Sequence, residues 1–126
     1  MLFNIGNYKL SSGRESKLKI DCDFLTDEDW EALAQIAVHL LPLFSRVEGV
    51  PTGGLKFAKA LEKYTCSKLC GADGKLLICD DVLTTGGSMI KQRAGREAIG
   101  IVVFARGICP SWVTPILPLN ENLYGI

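Results

Sequence analysis

The stretch of this sequence best equipped for chemistry is Leu76-Leu77-Ile78-Cys79-Asp80-Asp81-Val82-Leu83-Thr84-Thr85-Gly86-Gly87-Ser88. An apolar run delivers two adjacent carboxylates, Asp80 and Asp81, and a small, hydroxyl-bearing loop follows. Neighbouring carboxylates repel and are costly where half-buried, so a partner that stabilises both anions, such as polyol hydroxyls or a hydrated divalent cation, fits them. In the loop, Thr84, Thr85 and Ser88 offer hydroxyl oxygens, and Gly86 and Gly87 let backbone N–H groups close on an anion. At the start of a helix this makes a phosphate cradle. The plainer reading is a helix-capping turn after an acidic strand end. A Walker A loop is excluded, because the GxxxxGK[ST] spacing is absent.

A second glycine-rich turn, Gly49-Val50-Pro51-Thr52-Gly53-Gly54, sits between a short apolar run and a helical pattern. Taken alone it is an ordinary Pro/Gly turn. Its glycines also suit a backbone that must come close to a diphosphate and hold an unusual peptide geometry. Cys66-x₃-Cys70 lacks the second pair that a structural zinc site needs, and the single histidine, His39, falls inside a helix pattern and is assigned no role.

These loops need elements to hold them. Thr26, with Asp29 three residues on, predicts a capping box. Trp30, Leu33, Ala34, Ala37, Leu40 and Leu41 then form one apolar stripe on a helix that Pro42 ends. Leu43 to Val47 reads as a short strand and Leu55 to Tyr64 as a helix. The order repeats with a strand at Lys75 to Cys79, a loop at Asp80 to Ser88 and a helix at Met89 to Ala98. Ile99 to Ala105 is a third, β-branched run, and Ile116-Leu117 ends the sheet. Strands alternating with helices predict right-handed crossovers and a mostly parallel sheet, whose carboxyl ends are where open α/β sheets bind ligands. Residues 1–24 are polar and turn-rich, with Ser11 to Arg14 as a turn between extended pieces.

The 126 residues fit one domain, 1–126, with 48% apolar and 22% charged residues, a globular composition. Fourteen Lys and Arg balance fourteen Asp and Glu, so no global field favours nucleic acid or an anionic membrane, and any bound anion must be held by a local site. Five cysteines at irregular spacing with no signal-like start predict a reduced, cytoplasmic setting. No apolar run approaches the ~20 residues needed to span a bilayer.

The segment from Leu76 to Ser88 resembles the phosphoribosyl pyrophosphate (PRPP) motif of type I phosphoribosyltransferases: a hydrophobic strand, two acidic residues and a Thr/Gly-rich loop. Gly49 to Gly54 is similar to that family's pyrophosphate loop, in the form seen in orotate phosphoribosyltransferases. Tyr8-Lys9-Leu10-Ser11-Ser12-Gly13-Arg14-Glu15-Ser16 resembles the amino-terminal segment of the orotate enzymes, part of a hood over the base, with Ser11 where many members have Lys. Ile101 to Arg106 resembles the strand that ends in the family's Asp-Arg pair, with Ala105 in place of the Asp.

The resemblance implies a type I phosphoribosyltransferase fold: a mostly parallel sheet flanked by helices over residues 25–126, with a small hood over 1–24. It implies that Asp80 and Asp81 hold ribose hydroxyls and that Val82 to Ser88 (Val82, Leu83, Thr84, Thr85, Gly86, Gly87, Ser88) bind the PRPP phosphate end. It further implies that Pro51, Thr52, Gly53 and Gly54 face pyrophosphate, that Thr84, Arg106 and Ser11 face the base, and that Mg²⁺ binds through PRPP and water. The implied reaction transfers a phosphoribosyl group to a nucleobase, orotate above others, in a homodimer. The orotate enzymes also carry a long mobile loop with further cations between the two motifs. Here only Lys63 to Lys75 fill that interval, leaving Lys68 and Lys75 as the available cations and Lys68 as the catalytic one. A module that binds PRPP without catalysis, having lost this lid, is the alternative, and an accessory subunit that borrows its cations from a partner is a third reading.

Overall fold

The computed structural model describes residues 1–9, 13, 15–66 and 74–119. Its centre is a four-stranded, all-parallel sheet in the order β3-β4-β5-β6, formed by Phe44–Gly49, Lys75–Leu83, Ile99–Ala105 and Val113–Pro118. Strands β1 (Phe3–Lys9) and β2 (Glu15–Ile20) form a separate antiparallel pair. Both faces of the main sheet are covered, which is why its strands read as unbroken apolar runs. Leu77, Cys79, Ile101 and Val103 pack on one face against Trp30, Ala34 and Ala37 of α1 (Asp27–Leu40) and against Phe57 and Leu61 of α2 (Leu55–Leu61). Leu76, Ile78 and Val102 pack on the other face against Met89 of α3 (Gly87–Arg93). Alternate residues of one strand thus serve opposite cores.

Local chemistry sets the element ends. The capping box at α1 is complete: Asp29 N–H donates to Thr26 Oγ1 at 3.1 Å and Thr26 N–H to Asp29 Oδ2 at 2.9 Å. Leu40, expected in the apolar stripe, is 48% exposed. Helix α3 ends at Arg93, short of the expected Ala98, because Ala94 (φ 54°) and Gly95 (φ 74°) turn left-handed. Strand β4 runs past the expected Cys79 to Leu83, since Asp80, Val82 and Leu83 keep pairing with Val102, Phe104 and Ala105 of β5. The acidic pair therefore lies on the strand and not in a loop.

The amino-terminal pair docks on the sheet, with Leu2 and Ile20 packed on the core. Phe3 packs edge-on against Phe104 with centroids 5.6 Å apart, and Arg106, just past β5, donates from Nη2 to Ser16 Oγ at 2.7 Å and to Leu18 O at 2.6 Å. Cys66 is disulfide-bonded while Cys22, Cys79 and Cys109 are free thiols, which corrects the expectation of a fully reduced chain at that residue. Among the described residues, no helix is long and apolar enough to cross a membrane.

Candidate functional site

The carboxyl ends of β3, β4 and β5 converge below the β1–β2 pair. Asp80 is buried and Asp81 half-buried, and backbone amides of the strand end turn back onto them: Asp81 N–H donates to Asp80 Oδ1 at 2.8 Å and Val82 N–H to Asp81 Oδ1 at 2.7 Å. Burial, and then the hydrogen bond and charge of Asp81, push the Asp80 carboxyl up to about 8. Two carboxyls so close cannot both ionise cheaply without a partner. The Cys22 thiol, behind them, is pushed up to about 12, first by burial and then by the charge and hydrogen bond of Asp81, so it stays neutral.

The turn after β3 is stitched to β4. Val50 N–H donates to Cys79 O at 2.9 Å and Gly54 N–H to Val50 O at 2.8 Å, and the Pro51–Thr52 peptide is cis. This brings Gly53 so near Asp81 that a Cβ there would stand 2.5 Å from Oδ2. Only glycine fits. The two glycine-rich segments, about 30 residues apart in the chain, therefore share one site.

Two adjoining cavities open here. The larger, 530 Å³, has Asp80 and Asp81 on its floor, Pro51 and Gly53 on one side, and Thr84, Ser88 and Arg106 on another. Its roof is the β1–β2 pair, through Tyr8, Lys9, Lys19 and Ile20. The smaller, 320 Å³, is walled by Val82, Leu83, Thr84, Thr85, Gly86, Gly87 and Ser88, with Lys91 one helical turn beyond Gly87. Gly86 takes φ 87°, a left-handed conformation that lets the chain enter α3, and Thr85 Oγ1 accepts from Gly87 N–H at 3.4 Å.

Most of the residues singled out by sequence meet here, with differences. Thr52 is exposed and outside the cleft lining. Gly54 is buried behind the turn, where a Cβ would meet Cys79 O at 2.6 Å. Arg106 lines the cleft, yet it is 6% exposed and its Nη2 holds the hood strand. Ser11 and Lys68 lie outside the described residues. Lys75 begins β4 and lines a cavity at the opposite end of the sheet, with Arg46 and Glu97, so it is no cation of this site. Of the cations present, Arg106 is the one with a role expected from sequence, and Lys9, Lys19 and Lys91 received none. Lys9, Lys19, Lys91 and Arg106 face two carboxylates, so a chain of zero net charge gathers a local positive excess. Lys91 could have been found from its helical spacing after Gly87. Lys9 and Lys19 could not, because their placement depends on how the hood pair docks.

An orotate phosphoribosyltransferase of Sulfurisphaera tokodaii is 30% identical over 133 aligned positions, covering 83% of this chain and 68% of that protein. The chain belongs to the orotate phosphoribosyltransferase family. It is a type I phosphoribosyltransferase, and thus a pentosyltransferase enzyme. No family model matches the chain. Solved structures share its fold. The orotate phosphoribosyltransferase of Aeropyrum pernix superposes with a TM-score of 0.73 at 22% identity, over 98% of this chain and 92% of that one. That of Mycobacterium tuberculosis in complex with inorganic phosphate gives 0.66 at 19% identity, over 95% and 90%. The candidate site lies at the carboxyl ends of the parallel strands, where open α/β sheets bind ligands.

Proposed function

We propose that this phosphoribosyltransferase takes PRPP and transfers its phosphoribosyl group to orotate, releasing pyrophosphate and forming orotidine 5′-phosphate. The observation that carries this reading is the close approach of Gly53 to Asp81, which joins a glycine turn and an acid pair in one cleft beside a Thr/Gly loop. Ribose hydroxyls donate to Asp80 and Asp81, which restores both as anions. The 5′-phosphate takes Thr84 to Ser88 and Lys91, and the pyrophosphate lies along Pro51 to Gly53. A base nitrogen attacks the anomeric carbon as the bond to pyrophosphate breaks. The chain contributes position and charge to this step and supplies no covalent nucleophile.

The donor set suits Mg²⁺ carried by the substrate. The acid pair lines the 530 Å³ cleft, which has room for a hydrated ion. When bound, the ion neutralises the departing diphosphate. Family resemblance also supports a homodimer in the cytoplasm, and sedimentation velocity tests the dimer. The reaction is tested by a pyrophosphate-release screen with PRPP and Mg²⁺ over orotate, uracil and the purine bases. Release with orotate above the others is expected, and no release with orotate overturns the reading.

A further inference from the structure

The hood wall of the larger cleft is left over once PRPP is placed. The Thr84–Ser88 loop, the Pro51–Gly53 turn and the acid pair account for the two phosphate ends and the ribose. What remains facing the cleft is Tyr8, Lys9, Lys19, Ile20 and Arg106. Three of these are cations, and their surroundings differ. The Nη2 of Arg106 is engaged with Ser16 Oγ and Leu18 O, which makes it a strut between hood and sheet. Lys9 stands opposite Glu15 across the β1–β2 ladder, with a carboxylate as its cross-strand neighbour. Lys19 stands opposite the neutral Asn4, and its ammonium lies 5.9 Å from the centroid of the Tyr8 ring, an arrangement that steadies the long side chain without neutralising it.

We propose that Lys19 is a specificity-determining residue, the cation that selects a carboxylate-bearing acceptor base over the same ring without the carboxylate. This rests on the reaction proposed above. Tyr8 and Ile20 give the hood an apolar face for a flat heterocycle, and Lys19 places a positive charge at its margin. A neutral ring carbonyl gains only a hydrogen bond from that ammonium, whereas a carboxylate gains an ion pair as well.

The test is steady-state kinetics of the full chain with PRPP and Mg²⁺, comparing orotate with uracil. In K19M we expect KM for orotate to rise about tenfold or more, KM for PRPP to stay within about twofold, and the orotate-to-uracil ratio of kcat/KM to fall by about the same factor as orotate binding. K19R retains most of the preference. K19Q is a second neutral variant, so that a folding defect in one substitution, read from its melting temperature, does not decide the result. A folded K19M or K19Q with the wild-type orotate-to-uracil ratio overturns the proposal, as does a loss that falls on PRPP and spares orotate. A wild-type chain that releases pyrophosphate only with bases lacking a carboxylate overturns the orotate reading and the Lys19 assignment together. An orotate-active wild type with indifferent Lys19 variants overturns the assignment alone.

Discussion

The floor and the roof of the cleft are built on different principles. The floor, Asp80 and Asp81, extends a strand paired on both sides, and the residues that precede it, Leu77, Ile78 and Cys79, have no exposed surface. The roof is a two-stranded pair whose alternate residues face water, joined to the sheet through Phe3, through Arg106 and through Leu2 and Ile20, which pack on the core. Two isolated strands are marginal in water, so the roof owes its position to those ties. The buried Asp80 and half-buried Asp81 thus sit on the floor, and the exposed cations Lys9 and Lys19 sit on the roof.

Removing the floor's chemistry tests this division most severely. Asp80→Asn combined with Asp81→Asn should leave the fold intact, since the change removes a repulsive pair, and should lower kcat/KM by a factor on the order of 10³ or more. The decisive measurement is PRPP affinity by calorimetry. A wild-type affinity in the double variant would show that the ribose lies elsewhere.

Cutting the strut comes next. Arg106→Met strands Ser16 Oγ and Leu18 O under the hood and should cost roughly 1–3 kcal/mol locally. We expect hydrogen exchange to quicken over residues 15–20 while residues 76–83 keep their protection, with orotate KM raised about tenfold and PRPP affinity changed far less. Equal deprotection of both segments would mean that roof and floor form one cooperative unit.

The two regions also differ in how far the sequence reveals them. Asp80, Asp81 and the Thr84–Ser88 loop were legible as parts of one cleft because a β-strand and the turn after it are local: these candidate residues are neighbours in the chain. The meeting of Gly53 with Asp81 was legible only through the order of strand and turn, because parallel pairing of β3 with β4 sets the distance. Lys19 was not legible. Alternation along Glu15 to Ile20 puts Lys17 and Lys19 on one face, but which of them overhangs a cleft depends on the register with β1 and on the docking of Arg106, both non-local. The end of β4 was misplaced for a related reason. Acidic residues discourage strands, yet the ladder to β5 carries Asp80 onward as strand.

Titration sharpens the contrast from the floor's side. The Asp80 carboxyl, raised from 3.8 to about 8, binds its proton more tightly folded than unfolded. Its contribution to stability is therefore complete below the unfolded value and is lost as pH climbs through that window. Chemical denaturation of the free protein should show stability declining between about pH 4 and pH 8, with the slope reduced in Asp80→Asn. PRPP, which favours the ionised pair, should bind more tightly as pH rises over the same range. A free protein as stable at the top of this window as at the bottom would show that Asp80 is already ionised in the empty cleft.

The smallest effect belongs to a tie outside both regions. Glu48 on β3 accepts from Arg96 Nη1 at 2.7 Å and Nη2 at 2.9 Å, and from Gln92 Nε2 at 3.0 Å, linking β3 to the end of α3. The Arg96 hydrogen bonds hold its carboxyl down to about 2. A depressed carboxylate stabilises above its unfolded value and loses that contribution as pH falls through the folded one, so this tie works in the direction opposite to Asp80. Both side chains are about a third or more exposed, which screens the pair and limits Glu48→Gln to about 0.5–1 kcal/mol in denaturant unfolding at neutral pH. Turnover should stay within about twofold of the wild type, because neither the acid pair nor the hood rests on this contact. A larger loss of turnover from Glu48→Gln would mean that the floor depends on the placement of α3, and that the cleft is less rigidly founded on β4 than its burial indicates.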